Sequence, residues 1–322
     1  MGKYIGTILT VIVVITLSVL GFVFAPPSLT QLQQETFWIL LAVCGGSALY
    51  CFVVGELTRN NSQMDKLWSI LPIAYAWIIA GKGSFEPRLT MFAIVVTLWG
   101  IRLTINFARK GAYRLKFWQG EEDYRWQVLR QSKYLNNRIA WAGFDLGFIS
   151  IYQNALVLAI CLPALACMGS NRPLGAWDYL ALFGALTFLL IETAADEQQM
   201  SFHTTKNAML KEGKKLDELP APFNKGFNTT GLWAYSRHPN YLGEQGIWLA
   251  LYLFVIGAGV AVNGIFHWAM IGPLFLVFLF LGSSAFGEGV SSGKYPEYHV
   301  YLAHVSKYIP WRKYNPERYK EQ

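Results

Sequence analysis

The stretch Gly231-Leu-Trp-Ala-Tyr-Ser-Arg-His-Pro-Asn-Tyr-Leu-Gly-Glu244 is polar, basic at Arg237 and dense in hydrogen-bonding side chains. It runs directly into a long apolar segment that begins at Leu242. Pro239 reads as the first helical residue, where its missing N–H removes no hydrogen bond. Asn240 and Glu244 then lie four apart on one helix face, with Tyr241 beside them. A carboxylate one turn inside a membrane helix is expensive, so Glu244 needs a partner. A plain helix cap would need one polar side chain, and this stretch supplies many more.

Working outward, the 322-residue chain is 53% hydrophobic and only 15% charged, against about 25% charged in soluble domains. Apolar runs near the length of a bilayer crossing recur, which predicts an all-α, polytopic membrane helix bundle. Eight spans are expected, at 4–24, 36–54, 67–80, 89–107, 143–168, 177–191, 242–262 and 264–281. The third and sixth are short for a crossing, so they extend into polar flanks or cross against protein. Lys3 and the Val23-Phe24-Ala25 triplet give the first span a signal-peptide flavour. Its apolar run exceeds the usual signal core of about 7–15 residues, so a retained helix is expected.

The charge of +7 then reports topology and contact with anionic lipid, and argues against a nucleic-acid partner. With the N-terminus in the cytoplasm, the inner segments hold 23 of the 27 Lys and Arg. Lys82, Arg88 and Arg172 fall outside, and Arg102 lies within a span. Both termini are therefore expected to be cytoplasmic, in a bacterial inner membrane or the endoplasmic reticulum. Residues 1–54 read as N-terminal transmembrane helices and 55–322 as the catalytic part. Cys44, Cys51, Cys161 and Cys167 sit in apolar runs without metal spacing, so they read as packers and no metal is expected.

Other polar residues gather at the expected cytoplasmic ends. Asp65 and Trp68 are three apart at the mouth of span three, where Ser62 or Asp65 is equally placed to cap a helix. Trp99 and Arg102 lie one turn apart in span four, with Arg102 close enough to the end to snorkel. Gly120-Glu-Glu-Asp-Tyr-Arg-Trp126 is either a helix start, since acids favour N-termini, or a flap over a cofactor. Asp145, Tyr152, Gln153 and Asn154 turn span five toward the bundle interior. Glu192 and Asp196 form an acidic ladder if the sixth helix continues. Tyr298 and Tyr301 share a face in a tail rich in Tyr, Trp and Lys, the composition of an interfacial anchor.

Ser236-Arg-His-Pro-Asn-Tyr-Leu-Gly-Glu244, followed by Lys294-Tyr-Pro-Glu-Tyr298 and Ile309-Pro-Trp311, resembles the membrane family around the steroid 5-alpha-reductases. The branch it resembles most is the domain of unknown function 1295, which Glu121–Trp126, Ala195-Asp196 with Gln198, and Asn61–Trp68 also match. Arg-His-Pro-x-Tyr is similar as well to the isoprenylcysteine carboxyl methyltransferases, and His-Pro-Asn-Tyr-Leu-Gly to the sterol C14 and C7 reductases. The resemblance implies a helix bundle that binds NADPH and reduces an activated double bond in a lipid or steroid-like substrate. It implies cofactor contacts from Asn240, Tyr241, Glu244 and Asp196, and from Tyr295 or Tyr298. The motif's Arg237 and His238 belong to the same set. Phosphates need cations, and Arg237, Lys225 and Arg125 are candidates. The carbonyl conjugated to the double bond needs a proton donor or polariser, for which Asp65 and Arg102 are the candidates. No Tyr stands where Trp99 and Arg102 sit, a departure from the reductases that counts against a steroid enone. An S-adenosylmethionine-dependent lipid methyltransferase and a non-enzymatic lipid-binding or transport protein are the alternatives. A transporter would show broken helices and midplane charges.

Overall fold

A computed structural model describes residues 27–315 and, upstream of them, Thr16 alone. The described residues form helices and no strands. The longer elements are α1 (Gln31–Thr58), α2 (Gln63–Leu67), α3 (Ile70–Lys82), α4 (Pro87–Arg109) and α5 (Tyr124–Arg130). They continue as α6 (Arg138–Cys167), α7 (Ala176–Lys211), α8 (Pro239–Gly257), α9 (Ile271–Lys294) and α10 (Tyr298–His304).

Five helices among the described residues are long and apolar enough to cross a membrane: α1, α4, α6, α7 and Trp268–Lys294, which contains α9. The chain is an integral membrane protein, and by length and composition these five are fewer than the eight spans expected. The run at 67–80 becomes α3, only 13 residues and so about 20 Å long, against a hydrocarbon core of about 30 Å. The run at 242–262 becomes α8, which starts at Pro239, ends at Gly257 and opens with polar turns. The run at 4–24 lies outside the described residues. The sixth run does extend into its polar flank: α7 continues to Lys211 and reaches 36 residues.

The chain divides into two compact units, Met1–Phe183 with Leu249–Leu276, and Gly184–Trp248 with Val277–Gln322. In the first, α1 opens with a capping box: the Gln33 amide donates to Thr30 Oγ1 and the Thr30 amide to Gln33 Oε1. Trp38, Leu49 and Leu57 on α1 are 66%, 64% and 79% exposed, as a lipid-facing helix requires. The hairpin α3–α4 forms the core, with Tyr75, Ile79, Phe92, Val96 and Trp99 fully buried. Gly100 permits this approach: a Cβ there would lie 2.5 Å from the Ser69 carbonyl oxygen. Arg88, expected in an outer loop, is buried and paired with Asp178 at 2.6 Å. It is placed where a lone charge would be costly and a paired one is tolerated. Within α6, Asp145–Tyr152 is a π-helical segment, where Phe144, Phe148 and Tyr152 stack in sequence.

The second unit holds the end of α7, the start of α8, the end of α9, α10 and the tail. Its core is largely aromatic: Phe227, Tyr298, Tyr301 and Tyr314, with Val305. The tail is fastened by its backbone. Arg237 N donates to Ser306 O at 2.9 Å, His238 N to Lys307 O at 3.0 Å and Tyr314 N to Ala234 O at 2.7 Å.

Candidate functional site

In the second unit, the α7 ladder meets the first turns of α8. Glu192 and Asp196 lie on α7 four residues apart, as the helical period requires once the helix continues. Gly243 sets the closeness of the two helices: a Cβ there would lie 2.5 Å from Glu192 Cβ and 2.9 Å from its amide nitrogen. One turn further, Gly246 abuts the Phe188 ring. Asn240 Nδ2 donates to Asp196 Oδ1 at 3.1 Å. The Asn240 carbonyl oxygen is buried and accepts no hydrogen bond. So is Gln199 Oε1, on the same helix as Asp196. Buried acceptors are almost always satisfied, by protein, ordered water or ligand, so these two oxygens mark where a donor from outside the protein would be accepted. Glu244 is buried and accepts from Trp248 Nε1 at 3.2 Å. Arg237 pairs with Glu288.

Arg237 and His238 converge on that one carboxylate. Arg237 Nε lies 2.8 Å and His238 Nε2 3.0 Å from Glu288 Oε1. Arg237 Nη1 also donates to the carbonyls of Leu302 and Val305. The imidazole stacks on Tyr241 at 5.1 Å, and Tyr241 meets Phe280 edge-on at 4.5 Å. Burial lowers the His238 pKa, and the hydrogen bond to Glu288 only partly restores it. These contacts hold Tyr241 and the start of α8 in one orientation. Tyr295 and Tyr298 are packed inward: Lys206 Nζ lies 3.4 Å from Tyr295 OH, and Tyr298 meets Phe227 edge-on at 4.9 Å. Gly226, at φ +80°, lets its backbone pass against the Tyr295 ring.

The remaining sequence-derived residues, Asp65, Arg102 and Arg125, belong to the first unit. Asp65 Oδ2 accepts from Trp126 Nε1 at 2.7 Å, and its Oδ1 lies 3.5 Å from Arg125 Nη2. Burial raises the Asp65 pKa, against the pull of Arg125. Arg125 also chelates Asp123 through Nε at 2.8 Å and Nη2 at 3.1 Å. The acidic stretch is a helix start, since Asp123 caps α5. Ser62 makes no capping bond; its Oγ accepts the Asp123 amide instead. Arg102 is half-buried on α4, one turn from the fully buried Trp99.

Beside Asp65 lies a network of residues none of which the sequence marks as catalytic or cofactor-binding. Asn61 Nδ2 donates to Asp145 Oδ2 at 2.7 Å, while Arg130 Nη2 and Trp141 Nε1 donate to Asn61 Oδ1 at 2.7 and 3.2 Å. Arg130 also clasps Glu122. Glu288 was equally without a role. A lone carboxylate near the end of an apolar helix is the signal that marks it. Among the described residues, no group of His, Cys, Asp and Glu is arranged to hold a metal.

The profile of the family described as "Protein of unknown function (DUF1295)" matches residues 51–305. The chain belongs to this family. A similar protein is an uncharacterised one of Schizosaccharomyces pombe, 36% identical over 283 residues, covering 84% of this chain and 78% of the yeast protein. No solved structure matches. The DUF1295 match takes in both polar clusters, from Asn61 to Arg130 and from Glu192 to Tyr301.

Proposed function

We propose that this DUF1295 chain is a membrane-embedded reductase that uses NADPH to reduce an activated carbon–carbon double bond in a lipid or steroid-like molecule. The observation that carries the proposal is Asn240, whose amide is tied to Asp196 while its buried carbonyl oxygen has no donor. A carboxamide N–H₂ is the ligand group that fits such an acceptor, and ribose hydroxyls fit the carboxylates of Asp196 and Glu244. When bound, the nicotinamide supplies a hydride. Tyr241 is the wall of that site, clamped between His238 and Phe280. Arg237 and His238, expected as direct contacts, act in the proposal by positioning Asn240 and Tyr241. For phosphate, Lys225 is the candidate cation of this unit; its ammonium lies 3.8 Å from the exposed Glu297 and 5.1 Å from the Tyr314 ring centre.

Within the first unit, Asp65 has the chemistry of a proton donor. A carboxyl held above its ordinary range keeps its proton nearer neutral pH, and the Trp126 indole fixes its orientation. The basic segments stay cytoplasmic in this reading, which places the Asn240 end of α8 where a soluble nucleotide arrives.

The test is thermal stability of the purified protein with NADPH, NADH or S-adenosylmethionine. NADPH is expected to raise the melting temperature. Asn240→Ala is expected to fold and to weaken NADPH by about tenfold, the effect of roughly 1–3 kcal/mol for one lost buried hydrogen bond. Stabilisation by S-adenosylmethionine and not by NADPH would replace the reductase with a methyltransferase.

A further inference from the structure

We infer that residues 114–118 and 133–139 form a platform for anionic lipid headgroups. The segment between α4 and α6 segregates its charges. Of its three acids, Glu122 faces inward against Arg130 and Asp123 against Arg125, and only Glu121 is exposed. The cations Arg114, Lys116, Lys133 and Arg138 all point outward. Large apolar side chains stand among them: Leu115 is 109% exposed, Ile139 87%, Tyr134 73% and Trp118 44%. Lys133 Nζ lies 4.9 Å from the Tyr134 ring centre, so cation and aromatic face the same surroundings.

Residues 117–120 are held by side chains of α2 and of Asn60, two before its cap. Lys66 Nζ donates to the carbonyls of Phe117 and Gln119, each at 2.8 Å. Gln63 Nε2 donates to Trp118 O and Asn60 Nδ2 to Gly120 O, each at 3.0 Å. Four exposed apolar side chains in water would be unfavourable. At headgroup level the same side chains reach the acyl boundary while neighbouring Lys and Arg meet phosphate. The two flanking helices, Pro87–Arg109 and Arg138–Cys167, are both long enough to span, so both ends of the segment start at the bilayer edge.

The test uses full-length protein carrying Leu115→Cys, labelled with an environment-sensitive fluorophore; the four native cysteines are buried. Nanodiscs of phosphatidylcholine, with and without phosphatidylglycerol, contain a lipid spin-labelled near the headgroup. Each cation near an anionic surface favours contact by about five-fold. Quenching is therefore expected to be stronger with phosphatidylglycerol, and to fall at least about two-fold when Arg114, Lys116, Lys133 and Arg138 are changed to Gln. Should that variant not fold, added salt on the otherwise unchanged protein must reduce the quenching by screening. Equal quenching in both lipids, or insensitivity to salt, overturns the anionic-lipid assignment. Absence of quenching also overturns it, and turns the face toward a soluble protein partner.

Discussion

Asn240 and His238 sit two residues apart and do different things. Asn240 presents an open acceptor beside Asp196, whereas both His238 and Arg237 are committed to Glu288. The helical period made the pairing of Asn240 with Glu244 on one face, and of Glu192 with Asp196, readable in advance. The Glu288 contact was unreadable, because it joins residues fifty positions apart. His238 gives a prediction with a definite sign. Burial holds its folded pKa below the ordinary value of about 6.5. Below that pH the unfolded chain takes up a proton that the folded chain resists, so stability is full above about pH 6.5 and is lost as pH falls toward the folded pKa. Besides Glu288, the charged groups acting on the ring are Arg237 and Lys307, both of which also oppose protonation. Melting temperatures at pH 7.5 and 5.5 are expected to differ more for the wild type than for His238→Gln, which keeps a donor for Glu288. Equal losses in the two proteins would show that His238 stays unprotonated for no energetic reason of its own.

At the scale of elements, the α7–α8 contact depends on two glycines, Gly243 and Gly246, that let a carboxylate-bearing helix approach backbone to backbone. Gly243→Ala places a methyl group 2.5 Å from Glu192 Cβ, and its amide nitrogen cannot move aside without moving α7. Overpacking of this kind destabilises by about 1–3 kcal/mol, and it should also displace Asn240 from Asp196. Gly282 on α9 is the control, since a Cβ there meets nothing within 4 Å. Gly282→Ala should be neutral or stabilising by up to about 1 kcal/mol through helix propensity. Thermal melting together with NADPH titration checks both, and a stable, NADPH-competent Gly243→Ala protein would show that the seam is looser than its geometry. The sequence marked Gly243 only as part of a motif. Why glycine is needed there becomes visible once Glu192 is seen against it, and no local pattern predicts which helix a glycine will face.

At the scale of the whole chain, charge asymmetry still governs the expected topology, although five of the described helices, fewer than the eight expected, are long and apolar enough to cross. Reporter fusions after Gly175 and after Gln322 are expected to lie on opposite sides of the membrane, since the short link before α7 carries Arg172 alone while the segment after α9 is rich in Lys and Arg; this requires α8 to cross together with α7 and α9. The same side for both would mean that only α7 and α9 cross there, and that α8, which is not among the five, does not. The residues by themselves determined the helical class, the membrane environment, the family likeness and the start of α8 at Pro239. Each of these rests on local composition and on a period of 3.6 residues, which any stretch of chain carries within itself. Tertiary structure decided that 67–80 is a short helix, that Arg88 is buried on Asp178, and that Arg237 holds Glu288. Those outcomes depend on which distant side chain fills the neighbouring volume and satisfies a buried charge, and that is settled only when the helices pack.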